Sequence, residues 1–386
     1  MTRKIFLVIV LCVFSMSFSG CRTDSPSAGE EQQQDLGKTE TEDETRIKEL
    51  PLKGVKKDEE LRLCMQGAER YADLYAKADK GTASNIVLDT KTIHQIVNRL
   101  GENGYPVSCS YFDCNLLNYQ KLDECLRRAA DGEAVTAEYY TVLSSGGLSR
   151  YALSFSEGIL TIINTRADWT ETNEPHVYYQ QCYQVYDWKY TEKGWLITEK
   201  AKSINQEMDM HSLVRVLPLS EECRKFGETY ILPIGYACSN LLYTDWSADT
   251  VTQLNLSGLF PAFYQMNTGR WPTEEDFPND IPEAVFEETF IPHLPVTAQQ
   301  LKALPEYQAG SSSYVWNQVG CGTKQLAFPP FPEVVKTAEN SDGSVTLTVD
   351  AVSKENGTDC SFSHEVTLRI KEDGTAEYLK NRMLSS

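Results

Sequence analysis

The chain has 386 residues, 41% of them hydrophobic, and a formal net charge of −19. A surface this acidic repels phosphate backbones and anionic lipid, and no Lys/Arg run or basic–aromatic stripe offsets it, so nucleic acid is excluded as a partner. The length admits two domains.

Thr2-Arg3-Lys4 followed by the apolar run Ile5 to Phe14 has the charge pattern and length of an export signal, too short to span a bilayer. Small or slim residues lead to Phe18-Ser19-Gly20-Cys21, where a lipoprotein signal peptidase would cut and leave Cys21 as the acylated first residue. Residues 1–20 are therefore expected to be the signal peptide. Two chains such as palmitate on one cysteine would anchor stably, because each buried methylene contributes about 0.8 kcal/mol. Between Arg22 and Leu50 there is no aromatic residue, and nine acidic side chains stand against four basic ones. Residues 21–50 thus read as a disordered tether whose root-mean-square reach is about 30 Å.

Apolar residues at Leu61, Cys64, Met65, Ala68, Ala72 and Tyr75 predict one helix over Lys57 to Ala78. Asp89 or Thr90 caps a second, with the stripe Ile93, Ile96, Val97 and Leu100 and a stop at Gly101. A third runs from about Tyr119 to Ala130. An antiparallel meander is expected next: Ala137 to Leu143, Ser149 to Phe155, Ile159 to Thr165, Val177 to Tyr190 and Trp195 to Ala201. Turn pairs stand at Gly146-Gly147, Glu157-Gly158 and Lys193-Gly194. Residues 203–215 read as a polar connection. Helices then recur: one after Ser220, one over Leu254 to Tyr264, one starting at Pro282 and a short one over Thr297 to Leu304. Strands follow at Ser312 to Val319, Ser344 to Val352, His364 to Ile370 and Thr375 to Leu379. The expected fold class is α+β with two domains, 51–205 and 206–386, each with helices before a curved antiparallel sheet of the cystatin-like or nuclear-transport-factor-like cone type.

Three segments, Tyr183 to Trp195, Tyr230 to Tyr236, and Asn340-Ser341-Asp342-Gly343 with its Val345 to Val349 strand, resemble an uncharacterised family of surface lipoproteins from anaerobic Gram-positive bacteria, grouped as a domain of unknown function. The resemblance covers most of residues 60–383 and implies a location and an architecture, with no activity, cofactor or catalytic residue.

The chemistry-bearing residues form no motif. His94, His176, His211, His293 and His364 show no helical metal-pair spacing. No Gly-x-Ser-x-Gly, Ser-x-x-Lys set or phosphate loop is present. The acidic stretch Glu274, Glu275, Asp276, Asp280, Glu283, Glu287 and Glu288 reads as a solvated face beside a helix N-terminus, although calcium would suit its oxygens. Beyond Cys12 and Cys21 nine cysteines remain, an odd number, of which Cys109 and Cys114 are the close pair; most read as small buried hydrophobes.

The aromatic surplus on one expected strand is the remaining signal. Alternation sends Tyr179 and Tyr183 to one face and Tyr178, Tyr186, Trp188 and Tyr190 to the other unless a bulge intervenes. A sheet apolar on both faces indicates an interdomain interface, a pocket or a partner surface. Tyr179, Tyr183, Tyr186, Trp188 and Trp195 are accordingly the candidate ligand or interface residues. The expectation is a non-enzymatic lipoprotein on the outer face of the cell membrane, without cofactor or metal, binding a glycan, a peptide or an envelope protein. A hydrolase with a triad dispersed in sequence, and a structural partner in an envelope complex, are the alternatives.

Overall fold

The computed structural model describes residues 44–110, 114–202, 210–316 and 328–384. The signal peptide, Cys21 and nearly all of the tether lie outside the described residues. Among the described residues no helix is long and apolar enough to cross a membrane.

The fold is α+β. In the N-terminal part the elements are β1 (Lys48–Glu49), α1 (Gly54–Glu69), α2 (Ala72–Lys77), α3 (Thr90–Glu102), β2 (Val107–Cys109), α4 (Gln120–Ala130), β3 (Val135–Val142), β4 (Leu148–Ser156), β5 (Ile159–Trp169), β6 (Pro175–Gln184), β7 (Asp187–Tyr190), β8 (Trp195–Glu199) and β9 (His211–Arg215). Six strands form one sheet in the order β1-β6-β5-β4-β3-β2, and β7-β8-β9 form a second. Pairing is antiparallel except between β2 and β3.

The large sheet is buried on both faces, and β5 shows why. Ala167 and Trp169 join the α1–α3 stripes in one core, whereas Leu160 and Ile162 join α4 and Leu196 of β8 in another. α3 and α4 bury the stripes expected of them, Ile93, Ile96, Val97 and Leu100 in one and Leu122, Cys125, Leu126 and Ala129 in the other. Asp89 caps α3 by accepting from the Thr92 amide at 2.9 Å. The single helix expected over Lys57 to Ala78 is broken at Arg70 and Tyr71. The bend lets Tyr71 meet Trp169 edge-on at 5.4 Å and donate to the Gly146 carbonyl at 3.0 Å, while Tyr75 stacks on Trp169 at 4.4 Å. Below α1, Arg150 pairs with Glu60 and, at 2.6 Å, with Glu138, so the buried guanidinium is compensated on both sides.

Two boundaries shift. Lys48 and Glu49 pair with Gln184 and Tyr183, so the chain is already ordered at the end of the expected tether. Residues 211–215, read as connection, form β9 on the edge of β8. The long strand expected over Val177 to Tyr190 divides at Val185 and Tyr186, and its first piece carries a bulge opposite Arg166 and Ala167.

The C-terminal part comprises α5 (Glu221–Phe226), a π-turn (Gly227–Ile231), α6 (Leu256–Thr268), β10 (Ile281–Pro282), α7 (Glu283–Phe290), α8 (Ala298–Leu301), β11 (Tyr307–Gln308), β12 (Ser313–Tyr314), β13 (Phe331–Glu339), β14 (Val345–Val352), β15 (Ser363–Ile370) and β16 (Ala376–Leu384). β13 to β16 form an antiparallel meander in chain order. On β14, Leu347, Val349 and Ala351 point into a core shared with Phe260, Phe263 and Phe290, and Thr346 and Thr348 take the other face. Asn340 to Ser344 is a turn, and within the acidic stretch Asp276 accepts both guanidinium nitrogens of Arg270 at 2.6 Å, and Glu283 meets Lys302 at 2.6 Å. Residues 317–319 of the strand expected over Ser312 to Val319 lie outside the described residues.

Candidate functional site

A cavity of about 200 Å³ opens where the two parts meet. Its N-terminal wall is built by the ends of β2, β3, β4, β8 and β9, and its C-terminal wall by α5, the π-turn and the start of β13. Neither part encloses it alone.

Three ties set this geometry. Asn115 accepts from the Leu219 amide at 3.0 Å and from Arg224 Nε at 2.6 Å, and donates to the Leu219 carbonyl at 2.8 Å, which fixes the start of α5 against the loop after β2. Lys193, in the β7–β8 turn, donates to the buried Asp350 of β14 at 2.6 Å. Trp195 is fully buried, joins a small core with Ile197, Leu213 and Val352, and lies edge-on to Phe331 at 5.8 Å.

Charge lines the floor. Arg215 sits 3.3 Å from Glu333, both nearly buried, with its guanidinium 5.5 Å from the centre of the Trp195 ring and donating to the Lys193 carbonyl at 2.6 Å. Burial pushes the Glu333 carboxyl above the usual carboxylate range, with Arg215 opposing it, and burial lowers the Arg215 guanidinium. Arg215 Nε is buried and has no hydrogen-bond partner among the described residues. Arg224 and Glu228 add a second cation and a second anion, and Tyr139 and Tyr151, stacked at 4.6 Å, form an aromatic side.

The aromatic candidates separate. Trp195 lines the cavity. Tyr183 is buried in the core between the large sheet and β8, and Trp188 packs on Phe155 at 4.7 Å while donating to the Gly158 carbonyl at 3.0 Å. Tyr179 and Tyr186 are exposed. Tyr183, Trp188 and Tyr190 are thus packed inside the N-terminal part against α4 and β8, which element order alone did not place there, whereas Tyr178, Tyr179 and Tyr186 stay exposed.

The histidines are spread over the molecule. His364 is buried between Tyr236 and Asn381, His293 stacks on Phe263 at 4.5 Å, and His211 lies 3.9 Å from Glu199. His94 is different, because its ring and the sulfurs of Cys109 and Cys114 present donor atoms all within 4.8 Å of one another. Sequence reading placed His94 on the flank of a helical stripe and could not see that Cys109, at the end of the parallel strand β2, and Cys114 beyond it come beside the ring.

No curated protein and no solved structure matches the chain. A family described as of unknown function (DUF6070) matches residues 57–386. The chain belongs to that family.

Proposed function

We propose that the protein is an extracytoplasmic lipoprotein of an anaerobic Gram-positive cell, held to the outer face of the membrane through acyl chains on Cys21, and that it binds a small ligand in the cavity between two α+β domains. In this reading the first domain is a curved sheet closed over α1, of the cystatin-like or nuclear-transport-factor-like cone type, and extends to β9. The second is the β13–β16 sheet with α5 to α7.

The cavity carries the proposal, and within it the buried Arg215 Nε without a partner, since a buried N–H that lacks an acceptor calls for one. Two cations and two anions around an aromatic side suit a ligand bearing both a carboxylate and an amine. A cavity of about 200 Å³ admits a ligand of amino-acid size or the end of a peptide. Short cell-wall peptides meet both requirements, with a carboxylate toward Arg215 and Arg224 and an amine toward Glu333.

Thermal-shift screening of amino acids, cell-wall peptides and oligosaccharides on the mature protein tests the proposal. A rise in Tm with peptides that carry a free carboxylate, and none with neutral oligosaccharides, is expected. A blank across all classes would overturn the ligand assignment, and turnover of any of them would replace binding by hydrolysis. Recovery of one envelope protein by crosslinking, with no small-molecule response, would favour the structural-partner role. The anchor is tested separately by labelling with a fatty-acid analogue and partition into detergent.

A further inference from the structure

We propose that Cys109 and Cys114 form a thiol–disulfide exchange site, with His94 as its proton acceptor, that takes a disulfide-bearing substrate. Both cysteines are free thiols, and their sulfurs lie 2.6 Å apart, within reach of a bond. That proximity suits a pair that closes and reopens a disulfide. It is also built for exchange. Both border the cavity, but Cys114 is partly exposed and Cys109 is buried, which makes Cys114 the attacking thiol and Cys109 the resolving one. The Cys109 amide donates to the Cys114 sulfur at 3.1 Å, a contact that favours its thiolate. The imidazole of His94 lies within 4.8 Å of both sulfurs. Cys64 is the contrast: its thiol is fully buried, donates to the Thr165 carbonyl at 3.4 Å, and burial pushes it up to about 12.

From the dithiol, His94 takes the Cys114 proton and the Cys114 thiolate attacks a substrate disulfide. A bond forms from Cys114 Sγ to one substrate sulfur, and the other leaves as a thiolate that takes the proton from His94. The Cys109 thiol then loses its proton to His94 and attacks Cys114 Sγ, forming the internal disulfide and expelling the second substrate thiolate, which is protonated in turn. Two electrons pass from the protein to the substrate; the reverse sequence oxidises a substrate dithiol. Both cysteines line the cavity of the proposed function, but the exchange rests on the thiol pair and does not require the ligand proposed there.

The test uses the full chain, reduced under nitrogen, mixed with oxidised glutathione, quenched by alkylation and mapped by mass spectrometry. A Cys109–Cys114 bridge with release of two glutathione thiols is expected, and Cys109→Ser should trap a glutathione adduct on Cys114. His94→Gln should slow exchange at neutral pH on the order of tenfold and regain the rate at alkaline pH, where the thiol ionises unaided. As a readout that needs no variant, the rate at Cys114 in the unmodified protein should rise through the imidazole range. Thiols that persist at both positions, an adduct that falls on Cys109, or a rate at Cys114 that follows an ordinary thiol would overturn the assignment. Stoichiometric zinc that blocks exchange until chelated would overturn it in favour of a metal site.

Discussion

His364, fully buried on β15, is held by two neighbours that fix its state. Asn381 donates through Nδ2 to the Thr244 carbonyl at 2.9 Å, so its Oδ1, 2.6 Å from His364 Nδ1, is the acceptor and Nδ1 carries the proton. Nε2 then accepts from the Tyr236 hydroxyl at 2.9 Å. The neutral ring satisfies both partners, and burial lowers its pKa from 6.5 to about 4. With the folded value depressed, the unfolded chain binds the proton first as pH falls. The stabilisation is complete above about 6.5 and is lost as pH falls to about 4, amounting to about 3 kcal/mol at 1.36 kcal/mol per pH unit. Urea unfolding between these limits should show that slope, and His364→Gln should lose most of it; an unchanged slope would place the acid sensitivity elsewhere.

Among the elements, the β7–β8 turn carries the most constraint in the fewest residues. Gly194 has φ +86°, and a Cβ there would sit 2.4 Å from Leu217, while its amide donates to Thr191 and its carbonyl accepts from Val216. Gly194→Ala combines left-handed strain with a clash, and a loss of about 2–3 kcal/mol is expected in chemical denaturation. A loss below about 0.5 kcal/mol would mean that the turn relaxes freely. Legibility also divides at this scale. α3 and α4 announced themselves because their apolar residues recur at three and four, and α3 also carries the Asp89 cap, although it runs one residue past the expected stop at Gly101, to Glu102. β14 and β15 did so by alternation. β13 was missed because Pro332 and Glu333 interrupt its apolar pattern, and Glu333 is tolerated only because Arg215 of β9 meets it. β9 was missed for the reciprocal reason: its polar ends, His211 and Arg215, find partners that are distant in sequence.

Across the whole molecule, three large cores lie within one part or the other, and the small one around Trp195 joins them. Truncating a buried Trp typically costs about 3–5 kcal/mol. Trp195→Ala should therefore destabilise the chain by that order and, by removing the contact with Phe331 and Val352, split a single calorimetric transition into two. One unchanged, cooperative transition would contradict the two-domain reading. Of the candidate ligand residues read from the sequence, Trp195 alone lines the cavity. Its charged floor was not legible, because Arg215, Arg224 and Glu333 sit on separate elements and acquire meaning only when β9, α5 and β13 converge. The His94 cluster was hidden for the same reason, with the cysteines visible as a pair and the imidazole on a separate element, α3.

The most direct test of the account is isothermal titration of the mature protein with a carboxylate-bearing cell-wall peptide, run beside Arg215→Lys, which keeps the charge but removes the guanidinium Nε. Saturable one-to-one binding that weakens at least about tenfold in the variant is predicted, the loss of a charge-assisted hydrogen bond. Equal affinity in both proteins, or no saturable heat in either, would contradict it.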